Sequence, residues 1–141
     1  MDSTPAAGLP GYSLVISGGL YSSQAPATAL AFAKALVSTG HRIDRVFLYG
    51  EGVSLASALN TPPSDETDWT RAWQELLTDQ DIPAFACIAS ALRRGLLNQQ
   101  EADRYQRPAA NLADGFVIAG LGEWVQALAD SDRVIHFPGG A

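Results

Sequence analysis

Short apolar runs alternate along this chain with segments whose apolar residues recur every three or four positions. The runs at 12–17, 43–49 and 84–87 have the length and composition of strands buried on both faces. The run at 115–120, between glycines, predicts either a short fourth strand or a loop. The run at 134–137 predicts a closing strand.

The segments between these runs have helical spacing. The first predicted helix is capped by Ser22 or Ser23, tolerates Pro26 in its first turn and stops at Gly40. The apolar stripe of this helix is Ala29, Phe32, Ala33, Leu36 and Val37. The apolar stripe of the next long helix is Trp69, Ala72, Trp73, Leu76 and Leu77.

Caps define the other helices. Ser64 or Asp65 is predicted to cap the helix that contains the two tryptophans. Asn98 with Glu101 resembles a capping box for a short helix through Tyr105. Further helices are predicted at 53–59, after Cys87 and at 121–128.

Strands that alternate with helices predict one α/β domain, with a parallel sheet and right-handed crossovers. Functional residues of such sheets gather beyond the carboxyl ends of the strands. Three loops are expected there, at 18–24, 50–53 and 87–90.

Length and composition fit a single globular domain. We expect a loose N-terminal leader at 1–11, the folded domain at 12–137 and a tail at 138–141. No run of about 18 apolar residues predicts a membrane span, and the acidic, polar start does not resemble a secretory signal. A cytoplasmic location is the expectation.

The charge balance disfavours broad contact with nucleic acid, because 15 acidic against 9 basic residues give a net charge of −6. Four of the arginines follow the only cysteine closely: Arg93, Arg94, Arg104 and Arg107. They indicate either a local cationic site, for an anionic sulfur species or an acidic partner, or a solvated helical face.

Several common chemistries lack their motifs. The loop at 18–23 has neither the lysine of a P-loop nor the third glycine of a dinucleotide fingerprint. One cysteine and two distant histidines, His41 and His136, offer no metal-ligand spacing, and both histidines are interpreted as structural. A Cys-His catalytic pair stays open, because such partners meet only in space.

Cys87 is the strongest candidate for chemistry. It lies where a strand is predicted to end and a helix to begin, a place that favours the reactive thiolate and leaves it reachable from solvent. The alternative is a small buried residue that only packs. Without a second cysteine no dithiol cycle is possible within the chain, but one thiol can carry sulfur as a persulfide or form a sulfenate as a sensor.

These residues resemble the TusD/DsrE family of small sulfur-relay proteins, and its TusD branch in particular, from about Tyr12 to Phe137. The most specific match is Cys-Ile-Ala-Ser-Ala-Leu-Arg-Arg-Gly at 87–95. The departures are Pro26 and a longer leader. The other matching residues are Ser17, Gly18, Tyr21, Gln24, and the segments 47–53, 64–66, 71–74, 120–122 and 132–137.

The resemblance implies a flavodoxin-like (DsrE-like) parallel sheet of about five strands flanked by helices. It implies a sulfurtransferase in which Cys87 is the persulfide nucleophile, with no cofactor and no metal. The candidate auxiliary residues are Tyr21, Gln24, Glu51, Arg93 and Arg94.

The resemblance also implies partners. TusB-like and TusC-like subunits would form a heterohexamer with this chain, a TusA-like protein would donate sulfur, and a TusE-like protein would accept it. The relay would end in 2-thiolation of the tRNA wobble uridine, without direct tRNA contact by this subunit and without a membrane. The alternatives are a DsrE-like subunit of dissimilatory sulfur oxidation and a non-catalytic scaffold subunit with a structural cysteine.

Overall fold

A computed structural model describes residues 8–139 as one five-stranded parallel sheet flanked by helices, which confirms the predicted fold class. The run at 115–120 contains a strand rather than a loop. The strands are β1 (Gly11–Ile16), β2 (Arg42–Leu48), β3 (Ala84–Cys87), β4 (Phe116–Ala119) and β5 (Arg133–Phe137). The helices are α1 (Ala25–Ser38), α2 (Trp69–Asp79), α3 (Ile88–Arg93), α4 (Gln99–Arg104) and α5 (Gly122–Asp130), and Gly50–Ala56 forms a 3-10 helix.

The strand order β4-β3-β2-β1-β5 decides which face each helix covers. From β1 to β4 every step along the chain moves in the same direction across the sheet, so right-handed crossovers put the intervening helices on one face. The step from β4 to β5 runs back across the sheet, and its right-handed crossover puts α5 on the opposite face. We refer to these as the α1 face and the α5 face.

The α1 face holds most of the core. Leu14, Ile16, Val46 and Leu48 point from the central strands into a cluster with residues of α1, α2, α3 and the 3-10 helix. Trp73 on α2 is fully buried there, and its indole N–H donates a hydrogen bond of 3.0 Å to the carbonyl of Pro26. The predicted apolar stripes of both long helices therefore face the sheet.

The α5 face is covered far less. Among residues 8–139 its buried cluster consists of Val15, Phe47 and Cys87, with Trp124 of α5 and two strand residues packed against it. An apolar groove of about 610 Å³ stays open between α5 and the sheet. Several large apolar side chains on or beside this face are more than half exposed: Val117, Leu121, Val125 and Leu128.

Two predicted helix starts are wrong. The N-cap of α2 is Asp68, whose carboxylate accepts from the Arg71 N–H at 3.1 Å, so Ser64 and Asp65 precede the helix in a loop. Asp68 prevails because it lies directly before the apolar stripe that must meet the core. Gln24 is the N-cap residue of α1, without a side-chain cap.

The starts of two other helices differ less from the predictions. The helix predicted at 53–59 is the 3-10 helix Gly50–Ala56, which begins directly after β2. Asn98 caps α4 by accepting from the Glu101 N–H at 2.8 Å, but the reciprocal half of a capping box is missing and Glu101 Oε2 is buried without a partner.

The division into leader, domain and tail stays a prediction, since residues 1–7 and 140–141 lie outside the described part. The first strand begins at Gly11, one residue before the predicted domain boundary. Within residues 8–139 no helix combines the length and the apolar character needed to cross a bilayer.

Gly52 fixes the loop after β2 against the end of β1. A Cβ atom at this position would lie 2.0 Å from the carbonyl oxygen of Ile16 and 2.7 Å from its carbon, which is inside van der Waals contact with backbone. The same Ile16 carbonyl oxygen also accepts a hydrogen bond from the Tyr49 N–H at 3.0 Å, so the Ile16 backbone is held on the sheet. Only glycine fits at this contact.

We predict that Gly52→Ala lowers the free energy of unfolding by about 2–3 kcal/mol, because backbone must shift to admit the methyl group. Chemical denaturation followed by circular dichroism measures the effect. Gly120→Ala is the matched control, since a Cβ there meets nothing within 4 Å, and it should change stability by less than about 0.5 kcal/mol. Equal stability of the two variants would contradict the assigned contact.

Candidate functional site

Cys87 lies at the junction that the sequence predicts. It is the last residue of β3 and the N-cap residue of α3, with φ −56° and ψ 124°. The thiol is only 3% exposed, however, so the expectation that it is reachable from solvent is wrong for this conformation. The reason is the two-residue period of the strand, which turns Cys87 with Phe85 toward the α5 face and into the cluster of Val15 and Phe47.

A polar link ties α3 to the loop after β2. The Gly50 N–H donates to Ser90 Oγ at 2.9 Å, and Ser90 lies three residues after Cys87 on the first turn of α3. Arg94 donates from Nε and Nη2 to Glu51 Oε1 at 3.0 and 2.9 Å, and from Nη1 to the Ser90 carbonyl at 3.1 Å. The link therefore sets the position of the helix that begins at Cys87.

The candidate residues Glu51 and Arg94 thus come together at the C-terminal end of α3, whereas Arg93 does not join them. Arg93 is exposed and has no ion-pair partner among residues 8–139. Arg104 and Arg107 are also exposed, and Arg104 lies over the ring of Tyr105 at 5.7 Å. Arg104 also pairs with Glu101 Oε1 at 4.0 Å, so Arg94 and Arg104 make local ion pairs, whereas Arg93 and Arg107 have none among the described residues.

Tyr21 and Gln24 line a separate cavity of about 590 Å³ at the carboxyl ends of β1 and β5, together with His136 and Phe137. The Tyr21 hydroxyl donates to the Thr67 carbonyl at 3.1 Å, and its backbone has a φ of +64°. Partial burial, with the negative charges of Asp68 and Glu66, raises the pKa of Tyr21. The phenol therefore remains a neutral donor well above neutral pH.

The sheet order answers the open question of a Cys-His pair. His136 on β5 is separated from Cys87 on β3 by β2 and β1, and three strand spacings amount to roughly 14 Å. His136 instead meets the Ser17 hydroxyl at 2.6 Å through Nε2. His41 precedes β2 and therefore lies at the amino edge of the sheet. Neither imidazole reaches the thiol.

The sequence did not single out Tyr49 and Trp124 as site residues. Leu48 pairs with Ala86, so the following residues Tyr49 and Cys87 lie side by side and on the same face. Tyr49 is 46% exposed and lines the apolar groove together with Trp124. Only the strand register reveals this proximity, and no local signal in the sequence contains it.

No group of three or more His, Cys, Asp or Glu side chains converges as metal ligands within residues 8–139. The arrangement around Cys87 offers one nucleophilic atom, a fixed helix start and an apolar approach. Such a site suits the transfer of a group that stays covalently bound to sulfur throughout.

The fold and the site place the chain in the class of parallel α/β proteins that have a single cysteine at the carboxyl edge of the sheet. Residues 11–137 match the model of the DsrE/DsrF-like family, and the chain belongs to that family. The YchN protein of E. coli has the same fold, with a TM-score of 0.71 and 25% identity over 92% of this chain and 100% of that one.

The names of similar curated proteins indicate which activity this chain has. The Sulfurtransferase TusD homologs of Vibrio parahaemolyticus and Aliivibrio fischeri are 43% and 48% identical over 126 residues, which is 89% of this chain and 96% and 97% of theirs. Sulfurtransferase TusD of Salmonella enteritidis is 44% identical over 89% of this chain and 98% of its own length. The chain is a sulfurtransferase of this family.

The raised pKa of Tyr21 gives a testable dependence on pH. The folded protein binds the phenolic proton more tightly than the unfolded chain does, so this contribution to stability is complete below pH about 10 and is lost as the pH rises through the folded pKa. We predict that Tyr21→Phe removes this alkaline loss and lowers stability at pH 7 by at most about 1 kcal/mol, through the missing bond to Thr67.

Denaturant titrations of both proteins at pH 8 and pH 11 check this prediction. Tyr105→Phe is the control, because it removes the hydroxyl of an equally exposed tyrosine elsewhere on the surface. An unchanged difference in stability between the two pH values after Tyr21→Phe would contradict the assignment.

Proposed function

We propose that this chain is the sulfur-carrying subunit of a relay, in which Cys87 accepts sulfur as a persulfide from a TusA-like carrier and passes it to a TusE-like protein. The relay ends in 2-thiouridine at the tRNA wobble position. One observation carries the proposal: the only cysteine of a sulfurtransferase chain ends a central strand at the carboxyl edge of the sheet. The sulfur atom of Cys87 is then the atom that accepts and donates the transferred sulfur.

The transfer balances without an oxidant or a reductant. The Cys87 thiolate attacks the outer sulfur of the donor persulfide, the donor's S–S bond breaks, and the donor leaves as a thiolate that takes up a proton. Cys87 then holds the persulfide, and the same step in reverse roles delivers the sulfur to the acceptor thiol. No cofactor is needed, since the moving sulfur is bound to a protein at every stage.

We assign two different tasks to the neighbouring arginines. Arg94, bonded to Glu51 and to the Ser90 carbonyl, positions the helix that starts at Cys87. Arg93, exposed and without an ion-pair partner among the described residues, steers an acidic partner toward the site. Tyr21 and Gln24 line a separate cavity that does not include Cys87, so we assign them no contact with the reacting sulfur.

The proposed assembly is a heterohexamer with TusB-like and TusC-like subunits. The exposed apolar side chains on and beside the α5 face support it, because isolated chains rarely leave such a patch in water. The net charge of −6 favours protein partners over direct contact with tRNA. We propose that the complex works in the cytoplasm, where a single thiol stays reduced.

Two alternatives remain distinct in their consequences. A DsrE-like role in dissimilatory sulfur oxidation uses the same persulfide on Cys87, and adjacent genes for a dissimilatory sulfite reductase would identify it. A scaffold subunit with a structural cysteine is favoured by one observation, the burial of the thiol. A purely structural thiol accepts no sulfur from a donor.

We predict that incubation with a persulfide-loaded TusA-like donor adds the mass of one sulfur atom to the intact chain, and that Cys87→Ser abolishes the gain. Mass spectrometry under non-reducing conditions measures it. Cys87→Ala serves as a second variant, so that loss of the gain does not depend on one substitution. No gain in the parent chain, or a gain that survives both substitutions, would overturn the proposal.

Arg94→Gln and Arg93→Gln form a matched pair. We predict that Arg94→Gln lowers the rate of sulfur transfer severalfold and alters alkylation of Cys87 by a small neutral reagent, because α3 loses its link to Glu51. Arg93→Gln should leave alkylation unchanged and raise only the KM for the partner protein, most strongly at low salt. If neither variant changes transfer or alkylation, both assigned tasks are wrong.

A further inference from the structure

Cys87 is buried in the conformation described, although the transfer proposed above requires its sulfur to meet the sulfur of another protein. The attack needs an open path to Sγ along the axis of the donor's S–S bond. Some part of the cover must therefore move before sulfur can pass. This step rests on the proposed function, and the identity of the moving part follows from the packing around the thiol.

In the hydrophobic cluster that contains Cys87, one of the described side chains comes from outside the sheet. Trp124 belongs to α5, and its ring centroid lies 6.3 Å from that of Phe47. Every other member is held in place by the hydrogen-bond ladders of four strands. The cluster of Cys87 and the side chains packed against it consists of Val15, Phe47, Phe85, Val134 and Trp124.

The helix that carries Trp124 is attached weakly. Ala127 is its only buried residue, and its N-terminus has no side-chain cap. Its polar attachment is Arg45 of β2, which lies on the same face as Phe47 and donates to Glu123 at 3.3 Å and to Asp130 at 3.0 Å. Segments with so few buried contacts open locally at a lower free energy than the whole fold.

Space for the movement is already present. The groove of about 610 Å³ is lined by Trp124 itself, with Tyr49 beside Cys87 at one side and Leu121 and Leu128 along α5. The indole can turn into this groove without separating any strands. It would then uncover the thiol and place an aromatic surface beside the entering partner.

We infer that Trp124 is a lid over Cys87, and that Arg45 is the positioning residue that keeps the lid closed through Glu123 and Asp130. The closed lid protects the single thiol from small oxidants between transfers. The open lid admits the partner's sulfur to Cys87.

The first test measures the rate at which iodoacetamide alkylates Cys87 in the native full-length chain. Trp124→Ala should raise the rate about ten-fold or more, since the local opening step is no longer needed. Val125→Ala, on the same helix with its side chain 62% exposed, should stay within about two-fold of the parent. An unchanged rate in Trp124→Ala would overturn the lid.

Denaturant dependence separates the lid from general loosening. In low urea the parent's alkylation rate should be almost independent of urea, as local opening exposes little surface, whereas reaction through global unfolding rises steeply. A parent rate that follows the global unfolding curve would overturn the inference, even if Trp124→Ala reacts faster.

The second test addresses the latch. The double variant Glu123→Gln/Asp130→Gln should raise the alkylation rate severalfold, and 1 M salt should reproduce part of the increase in the parent. Glu75→Gln, which removes the ion pair with Arg71 on α2, is the control and should have no effect. A rate unaffected by both the double variant and salt would exclude Arg45 as the latch.

The outcomes are independent of those of the sulfur-loading experiment. If Cys87 gains sulfur but Trp124→Ala changes nothing, the relay function stands and the lid is wrong. If Trp124→Ala exposes the thiol but no sulfur is gained, the lid exists over a cysteine with another role.

Discussion

The right-handedness of the β-α-β crossover is the constraint on which the rest of this structure depends. Combined with the strand order β4-β3-β2-β1-β5, it places the connections between β1 and β4 on one face and leaves only α5 for the other. The α1 face becomes a full core, whereas the α5 face has a small cluster and an open groove. Cys87 faces the thinly covered side because it lies two residues after Phe85.

Weak polar contacts then set the details of the site. The bonds among Gly50, Glu51, Ser90 and Arg94 lie near or at the surface, where each ion pair contributes about 1 kcal/mol or less. These bonds contribute little to stability, but they fix the position of α3 relative to the end of β2. Most of the buried apolar side chains lie on the α1 face, whereas the side chain of Cys87 lies on the other face of the sheet.

Local patterns were sufficient for the α/β class, the strand positions and the location of Cys87 at a strand-to-helix junction. They failed where the answer is set by contacts distant in sequence. The cluster that contains the thiol is built from four strands and Trp124 of α5, and the side-by-side position of Tyr49 and Cys87 depends on the register of β2 and β3. The cap of α2 was missed because Ser64, Asp65 and Asp68 all suit the role, and only the fit of Trp73 to the core selects Asp68.

The position of α5 near the end of the chain also matters during synthesis. A ribosome releases β1 to β4 and the helices of the α1 face first, and these segments supply every fully buried residue of the main core, to which β5 adds the partly buried Ile135 and Phe137. Trp124 and the neighbouring strand β5 emerge last. Until α5 and β5 have emerged, the nascent domain lacks Trp124 and Val134, two of the side chains that pack against the cluster of Cys87, and its thiol is more open than in the folded domain.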